Sequence, residues 1–123
     1  MKTSKINHLS TGQLVARFAE ICLDQDQALL RSDIAGFNRL YGQMVAIRDE
    51  LKSRMGDERR ALVALYNHEN AQVRLQAARA SLAVAPEEAR RVIELIANGR
   101  KFPQAGDAGM TISNLDSGVF KPS

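Results

Sequence analysis

Acid-base or nucleophilic catalysis needs a histidine held within hydrogen-bond reach of a carboxylate or a nucleophile, and this chain has two histidines, His8 and His68. His8 falls in an N-terminal arm. His68 stands beside Glu69 and would serve as a base, although its position between two apolar stretches favours a solvated turn residue. Metal chemistry has less support still. The chain has no Cys-x-x-Cys, no His-x-x-x-His and no pairing of histidines with a carboxylate cluster, so no metal or other cofactor is expected. Gly106-Asp107-Ala108-Gly109 has the glycines of a phosphate loop, but no apolar strand precedes it and no Gly-Lys-Ser/Thr follows. Tight helix packing or a helix kink is the preferred reading, at a cost of about 1 kcal/mol per glycine relative to alanine. The functional alternative is a groove with Asp107, Thr111 and Asn114 at its rim.

Arginines are the remaining chemistry. Arg74 and Arg79 share one helical stretch, while Arg90, Arg91, Arg100 and Lys101 cluster around the next. Such a row could meet phosphates or an acidic partner. Seventeen basic against fourteen acidic residues leave a net charge of only +3, and that surplus is shared between the two halves of the chain rather than gathered on one tail. Tyr41 and Tyr66 both occupy apolar helical positions, which removes the interleaved aromatics of a single-strand binder. Nucleic acid is therefore disfavoured as a partner.

The elements that must position these residues read as helices. At 123 residues, with 45% apolar and 5% aromatic residues, the composition suits one domain of alanine- and leucine-packed helices. Residues 1–9 read as a flexible arm, and Ser10 or Thr11 can accept the first backbone N–H bond of a helix running to Leu30. Along it Leu14, Phe18, Ile21, Cys22 and Leu29 recur on one face. Ser32 or Asp33 can cap a second helix with a long stripe that includes Ile34, Phe37, Leu40, Tyr41, Met44, Ile47, Leu51 and Met55; an uncovered part of it would drive dimerisation. Gly56 suits the end of that helix. Asp57-Glu58 should open a third helix carrying Leu62, Leu65 and Tyr66, and Asn70 should cap a fourth with Val73, Ala77, Ala80 and Val84 inside. Pro86 opens a fifth, closed by Asn98-Gly99, and a short sixth runs from about Gln104 to Leu115 before Val119-Phe120 folds back as an apolar latch. The single cysteine, Cys22, excludes an intramolecular disulfide and suits a reducing cytoplasm; no apolar run is long enough for a membrane span.

An internal repeat is legible. Gln76 to Val84 aligns without gaps, at an offset of 28, with Gln104 to Ile112. Small residues and one large apolar residue fall at matching places, and the apolar stretches Ala61 to Tyr66 and Ala89 to Ile96 supply an outer helix for each copy.

Asn70 to Leu82, with Val73-Arg74 before the paired Ala77-Ala78, resembles a HEAT repeat. A wider set looks like the bacterial domain of unknown function twenty-nineteen family: Leu9-Ser10-Thr11, Phe37-Asn38-Arg39-Leu40, Asn70 to Leu75, Phe102 to Met110, and Asn114-Leu115. The likeness covers roughly Leu9 to Pro122, and Phe102 to Met110 is its most specific motif. It implies an all-helical, HEAT-like fold and transfers no catalytic residues. It also suggests a structural role for Arg74, bonding a neighbouring repeat's carboxylate such as Asp107; Arg79 stays open.

The expected protein is all-α, a short HEAT-like or armadillo-type α-α superhelix of about six helices. Residues 10–56 form an N-terminal helical hairpin that covers one end, 57–118 two degenerate helix pairs and 119–123 a tail. The expected function is a non-catalytic, cytoplasmic, adaptor- or immunity-type module. It would bind a protein partner through a face carrying Arg74, Arg79, Asp107 and Asn114, with a homodimer possible in principle. A small-molecule binder or enzyme at Gly106–Gly109, or a weak nucleic-acid binder, is the alternative.

Overall fold

The computed structural model describes residues 6–123, which form helices and no strand. They group into two compact units that divide between Ala61 and Leu62.

The first unit is a helical hairpin. Its first helix, α1 (Thr11–Leu30), starts where Ser10 accepts the Gln13 N–H at 3.1 Å while the Gln13 side chain accepts the Ser10 N–H at 2.8 Å. This reciprocal pairing satisfies two backbone donors that a helix start otherwise leaves open. Three residues later than Leu30, the Asp33 carboxylate accepts the Gly36 N–H at 2.9 Å and starts α2 (Ile34–Ser53). A Cβ at position 36 would collide with that capping carboxylate, so glycine leaves the cap undisturbed. Leu14, Phe18, Ile21 and Cys22 of α1 and Met44, Ile47 and Leu51 of α2 are buried as the helical spacing predicts. Ile34, Tyr41 and Met55, from the same expected stripe, remain exposed. The apolar stripe of α2 is thus longer than its buried strip.

The arm expected over residues 1–9 differs from what is seen. Residues 1–5 lie outside the described residues. From Ile6 onward the chain is held down: Ile6 is fully buried, and Arg54 Nη2 donates to the Leu9 carbonyl at 2.7 Å while Arg54 Nε meets Glu50 at 2.9 Å. Glu58 joins the same cluster by accepting the Thr11 hydroxyl. A buried apolar side chain and a guanidinium shared between carboxylate and carbonyls outweigh the polar look of the segment.

The expected third α-helix is instead a 3-10 helix, Glu58–Leu65. Gly56 and Asp57 take positive φ values of 82° and 53°, and Arg59 folds back on the Asp57 carboxylate through Nε at 2.9 Å and Nη2 at 2.7 Å. This fork holds the Asp57 carboxyl below the usual carboxylate range. Leu62, Leu65 and Tyr66 are spaced three and four apart, which suits either helix type over so few turns.

In the second unit, α3 (Ala71–Ser81), α4 (Pro86–Ala97) and α5 (Gln104–Ser117) pack on one another. Leu75, Ala78 and Leu82 meet Ala89, Ile93 and Ile96 of α4 and Ala108 of α5. Alanines at the contact let the helices approach closely. Tyr66 and Phe120 pack against this core; Phe120 is the expected latch, its N–H bonded to the Asn114 carbonyl at 3.0 Å, while Val119 is exposed. The Phe102-Pro103 bond is cis. Ile93→Ala should remove about 2–5 kcal/mol of stability. Chemical denaturation would check this, and an unchanged midpoint would contradict the packing described.

Candidate functional site

Nine of the eleven residues of α3 are buried, and the two that are not are Arg74 and Arg79. Small and apolar side chains, Ala71, Val73, Leu75, Ala77, Ala78 and Ala80, fill most of its surroundings. Its buried polar groups find partners. Gln72 Oε1 accepts from Gln104 Nε2 at 2.9 Å, and Ser81 Oγ donates to the Ala77 carbonyl at 2.7 Å and accepts the Tyr66 hydroxyl at 2.6 Å. The two arginines are where this enclosed helix reaches solvent. Five residues apart, they leave the helix in directions about 140° from each other.

Arg79 meets Asp107 at 3.3 Å. These are equivalent positions in the two copies of the 28-residue repeat, so the pair links the matching helices α3 and α5 at the same register. Arg74 does not reach Asp107, contrary to the expectation for it: its Nη1 donates to the His68 carbonyl at 2.7 Å. Placed in the first turn of α3, it is nearer the turn before the helix than the partner helix behind it. Asn114 lies two turns beyond Asp107 on α5 and offers its carbonyl to Phe120. The structure therefore unites Arg79 and Asp107, sets Asn114 further along the same helix, and turns Arg74 elsewhere.

Arg74 turns toward a groove of about 830 Å³. The local chain fixes this rim tightly. Asn70 caps α3 by accepting the Val73 N–H at 3.1 Å, and His68 Nδ1 accepts the Asn70 N–H at 3.0 Å, which leaves the imidazole proton on Nε2. His68 is thus a half-buried member of a bonded turn rather than a freely solvated residue. Across the groove, Glu88, Arg91, Val92 and Leu95 recur at helical spacing on one side of α4 and Gly99 follows just past its end, while Ala89 and Ile93 of that helix are buried. Arg100 and Lys101 follow from the connector. The groove is thus lined by four cationic side chains, Arg74, Arg91, Arg100 and Lys101, by two carboxylates, Glu69 and Glu88, and by apolar residues that include Val63, Val92 and Ile96. Leu95 stands in it 69% exposed. Each basic residue is visible in the sequence, but their convergence depends on how α4 folds back on α3.

Gly106 and Gly109 do not serve close packing. A Cβ at Gly109 would meet nothing within 4 Å, and one at Gly106 only the Phe102 ring at 3.9 Å. Among the described residues no three His, Cys, Asp or Glu side chains converge as metal ligands would. Cys22 is buried with its sulfur 3.9 Å from Met44 Sδ, and burial pushes its thiol well above the usual range. A thiol held in the protonated form is a poor nucleophile.

Two outcomes follow from these surroundings. Gly109→Ala should stabilise the protein by about 0.5–1 kcal/mol, read as a raised Tm, since alanine is the better helix former where space is free. A fall in Tm would mean that the position is constrained after all. Cys22 should resist a thiol-specific reagent in the folded protein and react on denaturation; rapid labelling under native conditions would contradict its enclosure.

No helix among the described residues is long and apolar enough to cross a membrane. The chain is similar to the protein RPA1889 from Rhodopseudomonas palustris CGA009, known from a crystal structure. The two are 52% identical with a TM-score of 0.93, over 96% of this chain and 98% of that one. No curated protein matches it. The sequence pattern of one family, Domain of unknown function (DUF2019), matches residues 12–116, most of both units described above. The chain belongs to this family.

Proposed function

We propose that the protein is a non-catalytic, cytoplasmic interaction module that binds a partner protein through the groove between the His68–Arg74 turn and α4. The observation that carries this reading is the groove's composition: an apolar lining with an open leucine, and four cationic side chains against two carboxylates. Among the described residues Arg91, Arg100 and Lys101 have no ion-pair partner. Charged groups of this kind steer and orient a partner, while apolar area in a concave site supplies affinity. Arg74 is the member of the sequence-based partner face that this site retains. Arg79 and Asp107 are bonded to each other at the surface, an arrangement that contributes little to stability and leaves them secondary here.

Affinity capture from the native lysate tests the reading, with the wild-type chain compared against the Arg91→Glu/Lys101→Glu double variant and against Arg39→Glu on α2 as a charge control. One protein retained by wild type and control and lost from the folded double variant is the expected result. Retention indifferent to the double variant would move the site away from this groove, and no specific retention would overturn the proposal.

A further inference from the structure

Resting on that reading, we infer the chemistry of the occupant: a short acidic peptide segment carrying an aliphatic anchor, its carboxylates directed to the Arg91, Arg100 and Lys101 end of the groove. The argument begins with length. At 12 residues α4 is about 18 Å long, and groove-lining residues run from Glu88 in its first turn to Lys101 beyond its last. A small anion would touch only part of this row, whereas a chain with several carboxylates can follow it.

Polarity narrows the class further. Along α4 the lining passes from Glu88 through Arg91 to Arg100 and Lys101, so the charge contributed by this helix and its connector changes sign along the groove. A uniform polyanion such as a nucleic-acid backbone would place phosphates against Glu88 and Glu69, and like charges set together are unfavourable. A peptide can vary its charge by position, acidic toward the basic end and neutral or basic toward Glu88. The floor then supplies the anchor. Leu95 is 69% exposed between half-buried Val92 and buried Ile96, a place where an aliphatic side chain removes apolar surface from water. Arg74, held by the His68 carbonyl, presents a cation whose position is already fixed.

Selection of random linear peptides on the purified full chain tests this without any cellular partner. Enrichment of sequences that combine Asp or Glu with Leu, Ile or Val is expected. A selected peptide should bind about tenfold or more weakly to Arg91→Glu/Lys101→Glu, and should lose affinity as salt is raised. Leu95→Ser, a surface change, should weaken it without altering the helical circular dichroism. Enrichment of basic or charge-free sequences, no enrichment, or binding unaffected by the double variant would overturn the inference, as would a duplex or single-stranded oligonucleotide that binds the same residues more tightly than every peptide. A groove-dependent protein captured from lysate while acidic peptides fail would leave the interaction reading standing and refute only this chemistry.

Discussion

The second unit depends on the enclosure of α3. A helix surrounded on nearly every side can accept only side chains that fit the closest approach of its neighbours, and this one fills the space with four alanines, Val73 and Leu75. Buried polar groups on such a helix are tolerated only when bonded, and Gln72 with Gln104, and Ser81 with Tyr66 and the Ala77 carbonyl, meet that condition. With those positions committed to packing, just two side chains on α3 remain for solvent, and both are arginines. One ties the repeat copies together through Asp107; the other forms part of a groove rim. Helix packing thereby decides which cations of this helix reach the surface.

Electrostatics is arranged differently in the two units. Around Arg54 in the first, carboxylates and carbonyls converge on one guanidinium, which ties the chain near Leu9 to the end of α2 and to Glu58. The Arg59 fork on Asp57 similarly serves a backbone reversal. In the second unit, Arg90 bonds Glu94 and Asp116, holding the Asp116 carboxyl below its usual range, whereas its neighbour Arg91 faces the groove. Adjacent arginines thus divide between structure and open surface because successive helical positions face different directions.

Much of the fold was legible because the forces that form it are local. Thr11 to Leu30 could be bounded by its cap and apolar spacing, Asn70 and Pro86 announce helix starts, and Gly118, at φ 79°, closes α5. The 3-10 segment escaped because Leu62, Leu65 and Tyr66 span too few turns for periodicity to separate the helix types. Burial of Ile6 escaped because one apolar residue among polar ones carries no period. The Arg79–Asp107 pair is readable in principle, since the 28-residue offset aligns the two positions, whereas the likeness to a HEAT repeat points to Arg74 instead. The groove was legible only as separate residues. The His68–Arg74 turn and the Arg91–Lys101 stretch lie on either side of most of α3 in the chain, and only tertiary packing brings them to one place.

Because rim and core use different positions on the same helices, they answer to different selective pressures. Replacing Ala77 or Ala78 would disturb packing throughout the second unit, but Arg91, Arg100 and Lys101 can change identity with little effect on folding. The surface chemistry of the groove could therefore drift from one lineage to another while the helical scaffold beneath it stays intact.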